Sequence, residues 1–354
     1  MAASSVTKFR VELHCHLDGS IRVSSLYELA KKRGSPYGQK PFEEFKNDVT
    51  YTEIGNLTKF LKTFKIFIPW IVGDREFIKR MAYELCEDKA NQGVAYIEMR
   101  YCPHFFASAK VAELKRVDGD LTPHGVVQCV NEGLKEGCKD FGITAKSILC
   151  CMRGFSAWSP QIIELCKEFH NDTVVGIDLA GDEDLPLTDE AVRCGIHRTV
   201  HAGESGPSAH VKTAIDVMKA ERIGHGYHVL EDEKLYERVL EDQIHFEVCP
   251  MSSYYLSSAG TENFRKHPAV RFAKDNLNFS FNTDDESIFE TSLPNEFNVG
   301  YNKMGLSEAV LTKLVFNAAR SSFLPENEKL DLIRHLQGVY GMTNNVNTSQ
   351  CNTL

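Results

Sequence analysis

The chain has 354 residues, 42% hydrophobic and 25% charged, which supplies a large core and excludes a disordered or low-complexity protein. A net charge of -9 with no long Lys/Arg run excludes a general nucleic-acid binder, because backbone phosphates demand a concentrated basic surface, whereas a neutral or cationic small substrate fits. No stretch reaches the length of a membrane span, Met1 to Lys8 lacks an apolar signal-peptide core, and the 11 cysteines show no repeated C-x-x-C spacing, so reduced thiols and a cytoplasmic location are expected.

In chain order, strand-like runs are expected at Arg10 to His16, Val94 to Tyr101, Thr144 to Cys151, Val174 to Gly181, Arg198 to Glu204, Arg222 to Tyr227, His245 to Pro250 and Asn278 to Asp284. Helical patterns separate most of them, among them Glu76 to Gln92, Pro123 to Phe141, Pro160 to His170, Ala209 to Ala220 and Lys234 to Asp242. This alternation predicts an α/β protein, a (β/α)8 TIM barrel, with extra helices inserted after strand 1 between Leu26 and Ile71 and at the C-terminus from Ser307 to Tyr340. A single domain over residues 9–342 and a frayed polar tail over 343–354 complete the expected organisation. The crossover from Gly181 to Ile196 is near the minimum for parallel strands, and only Thr188 to Cys194 reads as helix, so the fourth barrel helix is expected to be stunted.

Polar clusters end several of these runs. His14 and His16 share one face of the first strand, roughly 6 to 7 Å apart, a workable base for two nitrogen ligands on one divalent ion. His201 with Glu204, His225, and Asp284 with Asp285 end runs five, six and eight. In a barrel of parallel strands those ends form the face that carries the active site. Each residue alone reads more readily as a satisfied rim or core group; their joint occurrence at one end of different strands points to a site.

Five ordered motifs, Glu12-Leu13-His14-Cys15-His16-Leu17-Asp18-Gly19-Ser20, Asp178-Leu179-Ala180-Gly181-Asp182-Glu183, His197-Arg198-Thr199-Val200-His201-Ala202-Gly203-Glu204, Arg222-Ile223-Gly224-His225-Gly226-Tyr227 and Asn282-Thr283-Asp284-Asp285, resemble the adenosine deaminase family of the metal-dependent amidohydrolase superfamily. The resemblance implies that His14, His16, His201 and Asp284 ligate one Zn²⁺ per chain, that Glu204 protonates the purine ring, and that His225 orients the attacking water. It further implies that Asp285, pointing away from Asp284 on an extended backbone, meets the base and helps place that water, with Gly181 and Asp18 meeting base and ribose. Leu57, Phe60, Leu61 and Phe64 follow the spacing of one helical face, usually a core stripe, and correspond to the family's apolar gate.

The expected reaction is hydrolytic deamination of adenosine and 2'-deoxyadenosine, placing the chain in purine nucleoside metabolism. Three departures from the family stand out: a crossover after Gly181 roughly ten residues short, Met251 where Trp is common, and Glu286 where Pro is usual. A deaminase of adenine or of an adenine nucleotide, and a catalytically impaired barrel that binds nucleosides, are the alternatives. A phosphate would require cations, whereas the strand-end motifs offer acids and histidines. No protein partner is legible, and a cell-surface pool, as in some vertebrate relatives, stays open.

Overall fold

The computed structural model describes residues 9–109, 119–170, 172–183 and 195–342. Its eight strands are β1 (Arg10–His16), β2 (Val94–Tyr101), β3 (Thr144–Met152), β4 (Val174–Ala180), β5 (His197–Ala202), β6 (Arg222–His225), β7 (His245–Val248) and β8 (Phe279–Phe281). They form one sheet in sequential order, every neighbouring pair parallel. Strands buried on both faces need apolar residues on both, and all seven residues of β4 are buried accordingly.

The segment after β1 contains the inserted helices α1 (Val23–Lys32), α2 (Phe42–Val49) and α3 (Leu57–Ile71), followed by the crossover helix α4 (Arg75–Asn91). The helix α3 starts where Asn56 accepts a hydrogen bond from the Lys59 N–H at 2.8 Å, a cap worth about 1 kcal/mol. Next in order are α5 (Pro103–Phe106), α6 (Pro123–Phe141), α7 (Ser159–Phe169), α8 (Ser208–Asp216), α9 (Glu233–Glu241), α10 (Pro250–Tyr255) and α11 (Pro268–Lys274). The C-terminal extension carries α12 (Leu293–Asn298), α13 (Glu308–Ser321) and α14 (Glu326–Val339). The fold is therefore the expected (β/α)8 barrel, with insertions in the expected places. The helix expected at Thr188 to Cys194 and the tail from residue 343 lie outside the described residues.

Several strands stop earlier than their sequence patterns suggest. Asn282 to Asp284 were expected in the eighth strand, yet β8 ends at Phe281, and beyond it only a single bridge, Cys15 with Asp284, joins the last segment to β1. Side chains replace the missing ladder. Asn282 Oδ1 accepts from the Leu13 and His14 N–H groups at 2.9 and 3.1 Å, while Glu12 Oε1 accepts from the Thr283 N–H at 2.9 Å. The barrel interior departs from apolar layering too. Arg222 bridges Glu98 (2.6 Å) and Glu247 (2.7 Å), and Arg100 bridges Glu247 (2.7 Å) and Asp178 (3.4 Å), all of them buried.

Candidate active site

Four histidines and an aspartate meet at the C-terminal end of the barrel. The His14 and His16 Nε2 atoms lie 3.2 and 3.3 Å from Asp284 Oδ1, and the His16 and His201 Nε2 atoms are 3.2 Å apart. Ligand atoms of His14, His201, His225 and Asp284 also fall within 4.8 Å of one another, as do those of His16, Asp284 and Asp285. Donors on a tetrahedral ion with bonds of about 2.0–2.1 Å stand about 3.3–3.4 Å apart, so His14, His16, His201 and Asp284 could hold such an ion. The cluster fits a metal for a second reason: His14 Nε2 is buried without a hydrogen-bond partner.

Three of the four ligand candidates, His14, His201 and Asp284, are aimed by a second group. The His14 Nδ1–H donates to Glu247 Oε2 at 2.7 Å, and the His201 Nδ1–H donates to Asp178 at 3.0 Å, which leaves both Nε2 lone pairs facing inward. The Ser252 hydroxyl donates to Asp284 Oδ2 at 2.7 Å, turning Oδ1 toward the histidines. Glycine at 224 is required by packing: a Cβ there would meet His14 Cε1 at 3.0 Å and the His201 Cα at 3.3 Å.

Burial sets the protonation states. The Glu204 carboxyl is pushed well above the usual range by burial and by the nearby Asp284 and Glu183 carboxylates, so it holds its proton. Burial drives His225 well below its ordinary value, leaving a neutral imidazole whose Nε2 is 3.7 Å from Glu204 Oε2. Asp285 is likewise raised by burial beside Asp284, whereas Asp284 is held well below the usual carboxylate range despite its burial, by the imidazoles of His14, His225 and His16 around it. Burial lifts Asp18 to about 7, against the backbone N–H groups that oppose it.

The backbone corrects one expectation. Asp284 has φ +63°, a left-handed conformation rather than an extended one, and His225 shares it with φ +63°. Nor does Asp285 point away from Asp284: a carboxylate oxygen of each lies within 4.8 Å of the other, and both residues line one cavity. Glu204 also lies beyond its strand, in a turn held by Glu183, whose Oε2 accepts from the N–H groups of Glu204 (3.0 Å), Ser205 (2.8 Å) and Gly206 (2.5 Å). Gly181, at φ +104°, makes the turn that ends β4 beside the pocket.

A cavity of about 580 Å³ opens onto the cluster and is lined by His16, Asp18, Gly181, His201, Glu204, His225, Asp284 and Asp285. Leu57, Phe60, Leu61 and Phe64 of α3 form its outer wall. Every site residue singled out in the sequence, except the fully buried His14, therefore lines one space. Sequence reasoning missed Glu247, Glu183, Arg100 and Ser252. Glu247 had a signal, the single charge inside the apolar run of β7. It also missed the cations Lys62, Lys65 and Arg153 in the cavity lining, which qualifies the reading that the strand-end motifs offer acids and histidines in place of cations.

The adenosine deaminase family profile matches residues 10–339. The adenosine deaminase of Xenopus laevis is 51% identical over 353 residues, spanning 97% of this chain and 98% of the relative. The chain belongs to the adenosine deaminase family. The adenosine deaminase of Gallus gallus, 49% identical over 94% of this chain and 96% of its own length, agrees. Among solved structures, the adenine deaminase of Arthrobacter aurescens superposes with a TM-score of 0.81 at 23% identity, over 95% of this chain and 100% of that one, a likeness of fold. An amidohydrolase of Burkholderia ambifaria with bound zinc gives 0.82 at 25% identity, over 94% and 90%. The chain is thus a hydrolase of the adenosine deaminase family with an amidohydrolase-type fold, and it carries a buried histidine–aspartate cluster that could hold a metal ion.

Proposed function

We propose that the chain is a zinc-dependent hydrolase, organised as one domain over residues 9–342, that converts adenosine and 2'-deoxyadenosine to inosine and 2'-deoxyinosine with release of ammonia. The observation that carries the chemistry is the placement of buried Glu204 with its Oε2 3.7 Å from His225 Nε2, beside a histidine–aspartate cluster within one cavity. His14, His16, His201 and Asp284 would hold one Zn²⁺. When bound, the ion supplies Lewis acidity, lowering the pKa of a water toward about 7.

The chain's own residues do the rest. Glu204 delivers its proton to the purine ring nitrogen next to the carbon under attack, which draws electron density from that carbon. His225, neutral, accepts a proton from the attacking water or orients it. Asp285 meets the five-membered ring of the base and helps to place the attacking water, and the Gly181 N–H meets a ring nitrogen. Asp18 faces the ribose, and the α3 wall of Leu57, Phe60, Leu61 and Phe64 acts as an apolar gate that excludes water once substrate is bound. Free thiols at all the described cysteines favour the cytoplasm.

Lys62, Lys65 and Arg153 give a nucleotide substrate a specific observation in its favour, so the test compares adenosine, adenine and AMP with the zinc-loaded protein. Adenosine is expected to have the highest kcat/KM. Preference for AMP would overturn the nucleoside reading, and nucleoside binding without ammonia release would establish the impaired barrel instead.

A further inference from the structure

Lys89 is a lysine in an unusual place. It sits near the C-terminal end of α4, in the outer helical layer, yet it is fully buried and does not line the cavity. A buried ammonium is costly unless its charge is paired and its N–H donors find acceptors, and three polar groups surround this one. Lys89 Nζ forms an ion pair with Glu12 Oε2 at 2.7 Å and donates to Thr283 Oγ1 at 3.2 Å and to Glu286 Oε2.

Those three partners enclose the weakest joint of the barrel. Glu12 lies two residues before His14, and Thr283 and Glu286 flank the Asp284–Asp285 pair. The Thr283 hydroxyl donates to Glu12 Oε1 at 2.6 Å while accepting from Lys89, and the Thr283 N–H donates to the same Oε1 at 2.9 Å. Glu286 Oε1 accepts from Gln92 Nε2 at 2.5 Å, and Gln92 Oε1 accepts in turn from the Leu293 N–H at 3.1 Å. Between these anchors the backbone is tied to β1 by only two hydrogen bonds of its own, Asp284 N–H to the His14 carbonyl (3.1 Å) and His16 N–H to the Asp284 carbonyl (2.7 Å). Asp284 itself is in the left-handed region, which neighbours must hold in place.

We propose that Lys89 is a positioning residue for the Asp284–Asp285 segment: by gathering Glu12, Thr283 and Glu286 around one ammonium, it sets where the Asp284 carboxylate meets the histidines and where Asp285 enters the cavity. Glu286, one of the chain's departures from its family's pattern, takes the role of the ammonium's second anion and carries the link on to Gln92. The proposal rests on the reading of the histidine–aspartate cluster as a metal site, and its main readout is metal affinity rather than activity.

The test uses the full chain, stripped of metal and titrated with zinc against a chromophoric chelator. Lys89→Met should weaken zinc binding by roughly 10- to 100-fold, the usual effect of losing a group that supports a ligand, and should lower kcat more than it changes KM. Glu286→Gln and Thr283→Val, which keep the Glu12–Lys89 pair, should each weaken zinc binding by a smaller factor. In the double variant with Glu12→Gln, Lys89→Met should add little, because both act through one network. A lower melting temperature in Lys89→Met with zinc affinity within twofold of the parent would make Lys89 merely structural and overturn the proposal. If that variant does not fold, unchanged zinc affinity in both Glu286→Gln and Thr283→Val overturns it equally. A parent chain that takes up no zinc removes the metal reading and the proposal together, a failure recognised before any substitution is made.

Discussion

The floor and the outer wall of the cavity are built on opposite principles. On the floor, His14, His201 and Asp284 are buried, and each is aimed by a second polar group, Glu247, Asp178 and Ser252 respectively. The wall is one face of α3, where Leu57 and Phe60 are buried, Leu61 and Phe64 are half-buried, and Phe60 stacks on Phe289 at 4.8 Å between ring centroids. A polar group in a low dielectric must be matched atom for atom, so the floor is rigid and intolerant of change. An apolar wall needs only shape and area, so it can shift or be trimmed. Changes to the floor should therefore act on metal and kcat, and changes to the wall on KM.

The sharpest test of that division is His201→Ala, which should remove zinc binding and activity together, as elemental analysis and an ammonia assay would report. Zinc held at full stoichiometry by this variant would put the ion elsewhere. Glu204→Gln comes next. It should keep fold and zinc while kcat falls by about 10² to 10⁴, since an amide has no proton to give the ring. Near-normal kcat would assign the acid to another residue.

On the wall, Leu61→Ala and Phe64→Ala should raise KM for adenosine by roughly 3- to 10-fold through lost apolar contact, with zinc content untouched. A fall in kcat without a change in KM would mean that α3 governs the chemical step, and the contrast between the regions would fail.

At neutral pH the smallest effect is expected at His267, outside both regions. Burial lowers this imidazole from 6.5 to about 3, and it stays neutral between the Ser253 hydroxyl (2.8 Å) and the Ala269 N–H (3.0 Å). A histidine with a depressed folded-state value contributes stability above its unfolded value, and that contribution is lost as pH falls from about 6.5 toward 3. Within the window the folding equilibrium should lose up to about tenfold per pH unit from this group alone. His267→Gln should flatten that part of the stability curve in denaturant titrations while leaving zinc affinity and KM as they were.

Much of this protein was legible in the amino-acid sequence. Alternating strand and helix periodicity is a local property, so the eight strands, the helices after β1 and the closing helices could be placed from it. The site residues were visible for a related reason: a parallel barrel brings the C-terminal ends of its strands to one face, so His16, His201, His225 and Asp284 at those ends had to converge. Chain packing decided the rest. Arg100, Glu247 and Lys89 each read in sequence as an isolated charge, and their partners include Leu13, 87 positions from Arg100, His14, 233 from Glu247, and Thr283, 194 from Lys89. The left-handed backbone at His225 and Asp284 follows no residue pattern either, since neither is glycine. Periodicity records which face of an element is buried; it carries no record of which distant charge will lie opposite, and in a low-dielectric barrel that pairing determines where the site residues point.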